Sequence, residues 1–223
     1  MKKHSKGKIV TFLSFLITAL IVFWVTTSVQ SNRMPAVDSW SAPIVEELNH
    51  NGVFMFFRWI TELGSGTFVS PFISVFAIVF FLFTRNWLAG LIIPLGSFLG
   101  YRLNYWIKLF VERERPSLFP EAEGVGFSFP SGHAMGAMIT YGLVVYFLTI
   151  YMKEGNRRLT VQLFFVILIL LIGMSRYMIQ VHYLTDVVAG YGYGFLFLVL
   201  WILLYHFINK LITRKKRMSP PKV

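Results

Sequence analysis

Six long apolar runs interrupt the sequence, and they constrain its fold more than any other feature. A helix rises about 1.5 Å per residue, so these runs reach about 24 to 35 Å, close to the roughly 30 Å needed to cross the hydrocarbon core of a bilayer. Backbone polar groups in lipid must be satisfied within the segment, which favours helices. We therefore predict an all-α, six-helix transmembrane bundle that forms a single membrane domain over residues 1–223. Its expected spans are residues 9–29, 67–84, 87–109, 134–152, 159–178 and 187–209.

The distribution of Lys and Arg predicts which side of the membrane each connection faces. Basic residues concentrate in three stretches, at residues 2–8, 153–158 and 210–222, which the six-span plan places on one side. Such connections stay in the cytoplasm. Both termini are therefore expected on the cytoplasmic side of a plasma membrane. Residues 210–223 are expected to form a basic cytoplasmic tail beside anionic lipid. The net charge of +11 is thus explained by contact of these basic stretches with anionic membrane lipids. We therefore expect no nucleic-acid partner and no required protein partner.

Residues 30–66 are expected to form short interfacial helices on the outer face. Within them, residues 53–60 are rich in aromatic side chains and are interrupted by Arg58, a pattern typical of helices near the lipid headgroups. Two roles are open for this stretch: a cover packed over the bundle, or a part in admitting lipid. Arg102, inside the third run, is either a substrate contact or a side chain that reaches the outer headgroups.

Three clusters of polar residues stand at the ends of runs that the topology places on the outer side. The clusters are Lys108 with Arg115 and Pro116; Pro130, Ser131, Gly132 and His133; and Ser175, Arg176, His182 and Asp186. They lie far apart along the chain, but an even number of crossings separates them from one another. The sequence therefore predicts that three cations, two histidines and a carboxylate meet at one level of the membrane.

Several of these residue types suit a phosphate group. Arg115 and Arg176 each present a planar fork of donors to phosphoryl oxygens, and Lys108 adds a compact positive charge. Ser131 and Gly132 begin a helix, whose free backbone N–H groups and positive dipole end attract anions. We therefore predict that these five residues bind the phosphate of a substrate.

The two histidines suit proton transfer. His182 and Asp186 are four residues apart, so on a helix they share a face, and the carboxylate can hold the imidazole in one tautomer. His133 is then free to protonate a leaving oxygen. Two histidines and a carboxylate can also bind a metal, but the three nearby cations would repel a divalent ion. The absence of Cys excludes disulfides and thiolate sites, and we expect no metal and no other cofactor.

The three clusters resemble the three signatures of the type 2 phosphatidic acid phosphatase superfamily, and no signature position departs from the pattern. The motifs lie within residues 108–186, and the six-span plan extends the likeness to nearly the whole chain. The resemblance implies a metal-independent lipid phosphatase. It implies that His182 is the nucleophile that forms a phosphohistidine, with Asp186 supporting it, and that His133 protonates the departing oxygen and later activates water.

The substrate expected from this resemblance is a lipid phosphate at the outer face. A diphosphate offers more charge to three cations than a monophosphate does, so undecaprenyl pyrophosphate ranks first, and phosphatidylglycerophosphate or phosphatidate is the alternative. A transporter or scramblase is the reading from another class, but it would call for polar residues near the bilayer midplane. A vanadium haloperoxidase shares the clusters, although the known ones are soluble or peripheral.

Three glycine pairs with a spacing of four residues predict which spans pack together. They are Gly96 and Gly100, Gly132 and Gly136, and Gly190 and Gly194, in the third, fourth and sixth spans. Pairs of this kind let helix backbones approach closely in lipid. We expect these three helices to form the core of the site.

Overall fold

A computed structural model of the chain describes residues 2–31, 33–48, 51–116 and 126–218. All regular structure within these ranges is helical, which confirms the all-α prediction. The helices are α1 (Lys2–Gln30), α2 (Ala36–Leu48), α3 (Asn51–Glu62), α4 (Gly66–Thr84), α5 (Trp87–Val111), α6 (Gly132–Ile150), α7 (Asn156–Met178) and α8 (Leu184–Met218). Each of the six apolar runs falls on one long helix, although the fourth ends at Ile150 rather than at residue 152.

Among the described residues, five helices are long and apolar enough to cross a membrane, namely α1, α4, α6, α7 and α8. Helix α5 has 25 residues and is about 37 Å long. Its hydropathy is lowered by Arg102, Asn104 and Lys108 in its C-terminal part. Five such helices indicate a multi-pass membrane protein, and the sixth crossing stays a prediction.

Helix α6 lies at the centre of the bundle. Within the most apolar 18-residue stretch of α6, 67% of the residues are buried, whereas 17 to 22% are buried in the corresponding stretches of the other four candidate spans. It packs against α5, α7 and α8 through buried side chains such as Ile139, Leu143 and Phe147. The surrounding helices turn large apolar side chains outward, including Phe83 and Phe110. A continuous apolar exterior of this kind is stable when lipid covers it.

The packing of α5, α6 and α8 that the glycine pairs predict is confirmed. A Cβ atom on Gly190 would lie 2.7 Å from the Ser131 carbonyl oxygen, and one on Gly194 would lie 2.9 Å from the Met135 carbonyl oxygen. The backbone of α8 therefore touches the backbone of α6, an approach that only glycine permits. Helix α5 packs against both.

The predicted outer segment, residues 30–66, folds into α2 and α3. Helix α2 packs against the start of α8, and α3 packs along α7. The Tyr177 hydroxyl donates to the Ser41 carbonyl at 2.6 Å, and the Tyr141 hydroxyl donates to the Leu63 carbonyl at 2.6 Å. Both helices thus cover the end of the bundle that carries the polar clusters. Residues 32, 49 and 50 lie outside the described residues, and a part in admitting lipid stays a prediction.

The predicted basic tail, residues 210–223, is partly helical. Helix α8 continues to Met218 because Lys, Arg, Ile and Leu are good to moderate helix formers and nothing in the sequence before Ser219 and Pro220 breaks the helix. Residues 219–223 lie outside the described residues.

Candidate active site

The end of α5, the start of α6 and the loop between α7 and α8 meet at one end of the bundle. The backbone N–H of Ser131 donates to the carbonyl of Asp186 at 3.0 Å, which joins the second cluster to the third. The Lys108 ammonium donates to the Ser128 carbonyl at 3.2 Å and also to the Phe127 carbonyl. These bonds join α5 to the segment that precedes α6. The three clusters therefore form one site.

His182 lies in the loop between α7 and α8 and is buried. Its Nε2 is 3.2 Å from Arg115 Nη1, and its Nδ1 is 3.3 Å from Asp186 Oδ2 and 3.2 Å from Ser128 Oγ. A guanidinium can only donate, so Nε2 accepts and the ring proton lies on Nδ1. This tautomer presents the lone pair of Nε2 on the side where Arg115 lies.

Burial governs the charge of this imidazole. Removal of the ring from water lowers the pKa of His182 from 6.5 to about 3 and outweighs the opposing hydrogen bond and charge of Asp186, while the positive charges of Arg115 and Lys108 act in the same direction as burial. Burial also lowers the pKa of Arg115, whose guanidinium nevertheless stays protonated. The site therefore holds a neutral histidine beside a cation.

The Asp186 side chain is fully buried and satisfies four donors. Its Oδ2 accepts from the Ser128 hydroxyl, from His182 Nδ1 and, at 3.0 Å, from the backbone N–H of Tyr183. Its Oδ1 accepts from Arg113 Nη1 at 2.6 Å. All four contacts require an acceptor, which the ionised carboxylate supplies.

The start of α6 has the geometry that suits an anion. Ser131 is the N-cap of this 19-residue helix, and its hydroxyl accepts from the backbone N–H of Ala134 at 3.4 Å. The N–H groups of the first helical turn have no partner within the helix. Gly132 keeps the backbone open on this side, where an added Cβ would lie 3.1 Å from Asn104 Oδ1.

His133 and Arg176 lie under the turn that follows α3. A Cβ on Gly64 would come within 2.9 Å of His133 Cδ2, and Arg176 Nη1 donates to Thr61 Oγ1 at 3.0 Å. The positive charges of Arg176, Arg115 and Lys108 act electrostatically on His133. The outer segment thus encloses the site from the side of α7.

The structure brings all eight predicted site residues to the same end of the bundle. They are Lys108, Arg115, Ser131, Gly132, His133, Arg176, His182 and Asp186. Within the described part of the chain, no group of three or more His, Asp or Glu side chains is arranged to hold a metal ion. The individual chemical roles, and catalysis without a metal, stay predictions.

Sequence reasoning missed four residues that contact this site. Ser128 touches both His182 and Asp186, and Arg113 pairs with Asp186. Arg113 in turn contacts the two others, Asp38 and Thr185. The position of Arg113 two residues before Arg115 is the sequence signal that could have identified it. Nothing in the sequence pointed to Asp38.

Long apolar helices and a site lined by cations and a helix N-terminus are the features expected of a membrane protein that acts on an anionic substrate. The pattern that defines the PAP2 superfamily matches residues 87–210, more than half of the chain and all three clusters. The chain belongs to the PAP2 superfamily, which confirms the resemblance found in the sequence.

Relatives and solved structures agree with this assignment. The chain is 32% identical over 186 residues to phosphatidylglycerophosphatase B of Bacillus subtilis, covering 83% of this chain and 88% of the relative. A crystal structure of a transmembrane PAP2 type phosphatidylglycerolphosphate phosphatase from Bacillus subtilis superposes with a TM-score of 0.76 at 25% identity, covering 96% of this chain and 98% of that one. Aquifex aeolicus LpxE shares the fold, with a TM-score of 0.54, 24% identity and coverage of 72% and 91%.

These similarities establish the class of enzyme. The chain is a phosphatase and a multi-pass membrane protein, and its substrates are lipid phosphates. The expected enzyme class is confirmed.

Proposed function

We propose that the enzyme removes the terminal phosphate of phosphatidylglycerophosphate to give phosphatidylglycerol. The sequence favoured undecaprenyl pyrophosphate, with phosphatidylglycerophosphate as the alternative. The named relative at 32% identity and the structural neighbour that covers nearly the whole chain both support the alternative. The charge argument for a diphosphate is weaker than it was from sequence, because Lys108 and Arg115 already donate to backbone carbonyls.

We place the site on the outer side of a membrane crossed six times. Support comes from the basic residues at the end opposite the site: Lys153 lies in the loop between α6 and α7, and Arg157 and Arg158 lie in the first turn of α7. Helix α5 crosses in this arrangement despite its lower hydropathy, because Asn104 is buried against α6 rather than exposed to lipid. A lipid tail can then remain in the bilayer while its phosphate reaches the site.

The observation that carries the mechanism is the placement of His182 between Arg115 and Asp186. Nε2 attacks the phosphorus and forms an N–P bond while the ester P–O bond breaks, and His133 gives a proton to the departing alkoxide oxygen. The ring of His182 gains a positive charge and keeps its proton on Nδ1, opposite Asp186. Arg115, Arg176, Lys108 and the start of α6 stabilise the phosphoryl oxygens in the transition state.

The second half of the reaction returns the enzyme to its starting state. His133, now neutral, takes a proton from water as the water oxygen attacks phosphorus. The N–P bond breaks, its electron pair returns to Nε2, and inorganic phosphate leaves. The sum is one ester bond hydrolysed with one water consumed.

The test is phosphate release by the purified protein in matched mixed micelles of phosphatidylglycerophosphate, phosphatidate and undecaprenyl pyrophosphate. We expect the highest kcat/KM on phosphatidylglycerophosphate, and no activity on any lipid from His182→Ala. A higher kcat/KM on undecaprenyl pyrophosphate would reverse the substrate assignment and leave the mechanism intact.

Treatment with EDTA tests the metal-free chemistry in the same assay. We expect unchanged activity, because three cations already neutralise the phosphate. Activity lost with EDTA and regained only with added magnesium or zinc would refute this mechanism.

A further inference from the structure

One guanidinium joins two buried carboxylates at the edge of the site. Arg113 Nη2 lies 2.7 Å from Asp38 Oδ2, and Arg113 Nη1 lies 2.6 Å from Asp186 Oδ1. Both carboxylate side chains are fully buried, and the Arg113 side chain is 11% exposed. Asp186 belongs to the third cluster, whereas Asp38 belongs to α2, which carries none of the three signatures.

Thr185 closes this contact into a ring. Its hydroxyl accepts from Arg113 Nη1 at 2.8 Å and donates to Asp38 Oδ2 at 2.6 Å, and its backbone N–H donates to Asp38 Oδ1 at 2.9 Å. The guanidinium also lies over the ring of Tyr183, 3.9 Å from its centroid. Arg113 is therefore fixed in its plane by hydrogen bonds and across its plane by an aromatic face.

The ring sets the orientation of the carboxylate behind His182. Arg113 occupies Oδ1 of Asp186, which leaves Oδ2 for His182 Nδ1 and Ser128. A carboxylate rotated about its Cβ–Cγ bond would lose the bond to Arg113 and the bond to His182 together. Asp38 in turn holds Arg113, because without it Nη2 would lose its carboxylate partner.

We infer that Arg113 and Asp38 are positioning residues that hold Asp186 ionised and oriented for the attack of His182, so that helix α2 is a working part of the active site. This inference rests on the proposed nucleophilic role of His182. When Nε2 bonds to phosphorus, the positive charge on the ring is stabilised only while the proton stays on Nδ1 and Asp186 stays an anion. The nearby Arg113 cation opposes transfer of that proton to Asp186.

The closing experiment compares Asp38→Asn, Arg113→Lys and Arg113→Gln with the wild type. Asn keeps the size of Asp38, and Lys keeps the charge of Arg113 but can reach only one carboxylate. The matched control is Arg58→Gln, which breaks an exposed ion pair with Glu62 on the same outer segment. Each protein is assayed for kcat, KM, the rate of phosphoenzyme formation and the thermal unfolding temperature in detergent.

We expect Asp38→Asn and Arg113→Lys to lower kcat and the rate of phosphoenzyme formation by about 10- to 100-fold, the range found when the hydrogen-bond partners behind metal-bound histidines are removed. KM should stay within about twofold, since the inference assigns both residues an effect on Asp186 and not on substrate binding. Arg113→Gln should lower kcat further than Arg113→Lys does, because Gln leaves two buried carboxylates without a cation. Arg58→Gln should match the wild type.

Two results would overturn the inference. One is a kcat within about twofold of the wild type in Asp38→Asn and Arg113→Lys, even with a lowered unfolding temperature, which would make the ring structural only. The other is a raised KM with unchanged kcat. Each ratio of variant to wild type is taken on whichever lipid the wild type hydrolyses best, so an error in the proposed substrate does not affect the result.

Discussion

His182 titrates far from the ordinary range of histidine, and this makes the site testable by pH. Its pKa is about 3 in the folded protein and 6.5 in the unfolded chain. The unfolded chain therefore binds the proton first as pH falls. The stability that comes from this group is fully present above pH 6.5 and is lost as pH drops towards 3.

The same shift predicts the pH dependence of phosphoenzyme formation. With a substrate whose leaving group needs no proton, the rate should stay nearly constant between about pH 7.5 and pH 5, because the nucleophile is neutral throughout. Rapid-quench trapping of the phosphoenzyme measures this rate. A tenfold fall per pH unit below about pH 6.5 would mean that His182 titrates like an exposed histidine.

The two histidines should respond differently to substitution. His133→Ala should lower kcat on a lipid substrate by about 100-fold or more, because the alkoxide then leaves without a proton. The loss should shrink for a nitrophenyl phosphate, whose leaving group is stable as an anion. His182→Ala should abolish phosphoenzyme on both substrates. An equal decrease in kcat for His133→Ala on both substrates would refute the role of His133 as general acid.

At the scale of helices, the contact between α6 and α8 aligns the site. The Ser131 N–H donates to the Asp186 carbonyl beside this contact. This bond fixes the start of α6 relative to Asp186, the residue that contacts His182. A Cβ on Gly190 would meet the Ser131 carbonyl at 2.7 Å and the Ala134 Cβ at 2.9 Å. Neither neighbour is the flexible end of a long side chain, so the helices would have to separate.

Gly190→Ala should therefore lower both stability and kcat. Overpacking of this kind costs about 1 to 3 kcal/mol, and the shift would also disturb Ser131. Gly66→Ala is the matched control, because an added Cβ there meets nothing within 4 Å. Unfolding temperature in detergent and phosphate release measure the two effects. Wild-type values for Gly190→Ala would mean that the helices pack less closely than the structure describes.

The sequence predicts those parts of the molecule that local chemistry decides. Apolar runs mark the long helices, and the glycine pairs predict that α5, α6 and α8 pack together. The contact of Asp38 with Arg113 could not be predicted, since it joins residues 75 positions apart along the chain and depends on how α2 docks. Helix α5 shows what hydropathy alone cannot predict. Asn104 lowers the hydropathy of this helix, yet its side chain is buried and its amide donates to the Pro130 carbonyl.

At the scale of the whole molecule, the basic connections and the candidate active site lie at opposite ends of the bundle. The described end of α8 and the loop between α6 and α7 carry basic residues, whereas α2, α3 and the three clusters lie at the other end. In the proposed orientation the basic end faces the anionic lipid of the inner leaflet, and the cations of the site attract an anionic substrate at the outer face. Lys and Arg would then serve both to orient the phosphatase and to bind its substrate.

This arrangement predicts the side of the membrane on which catalysis occurs. The chain has no Cys, so single cysteines can be introduced without background. Glu114→Cys, beside the site, should react with an impermeant thiol reagent in intact cells, because positive-inside placement puts the end of α5 outside. Asn156→Cys, at the start of α7, should react only after the cells are opened. Both positions are exposed, so accessibility in the folded protein does not limit labelling. The reverse pattern would put the site in the cytoplasm, where newly made phosphatidylglycerophosphate would reach it from the inner leaflet instead.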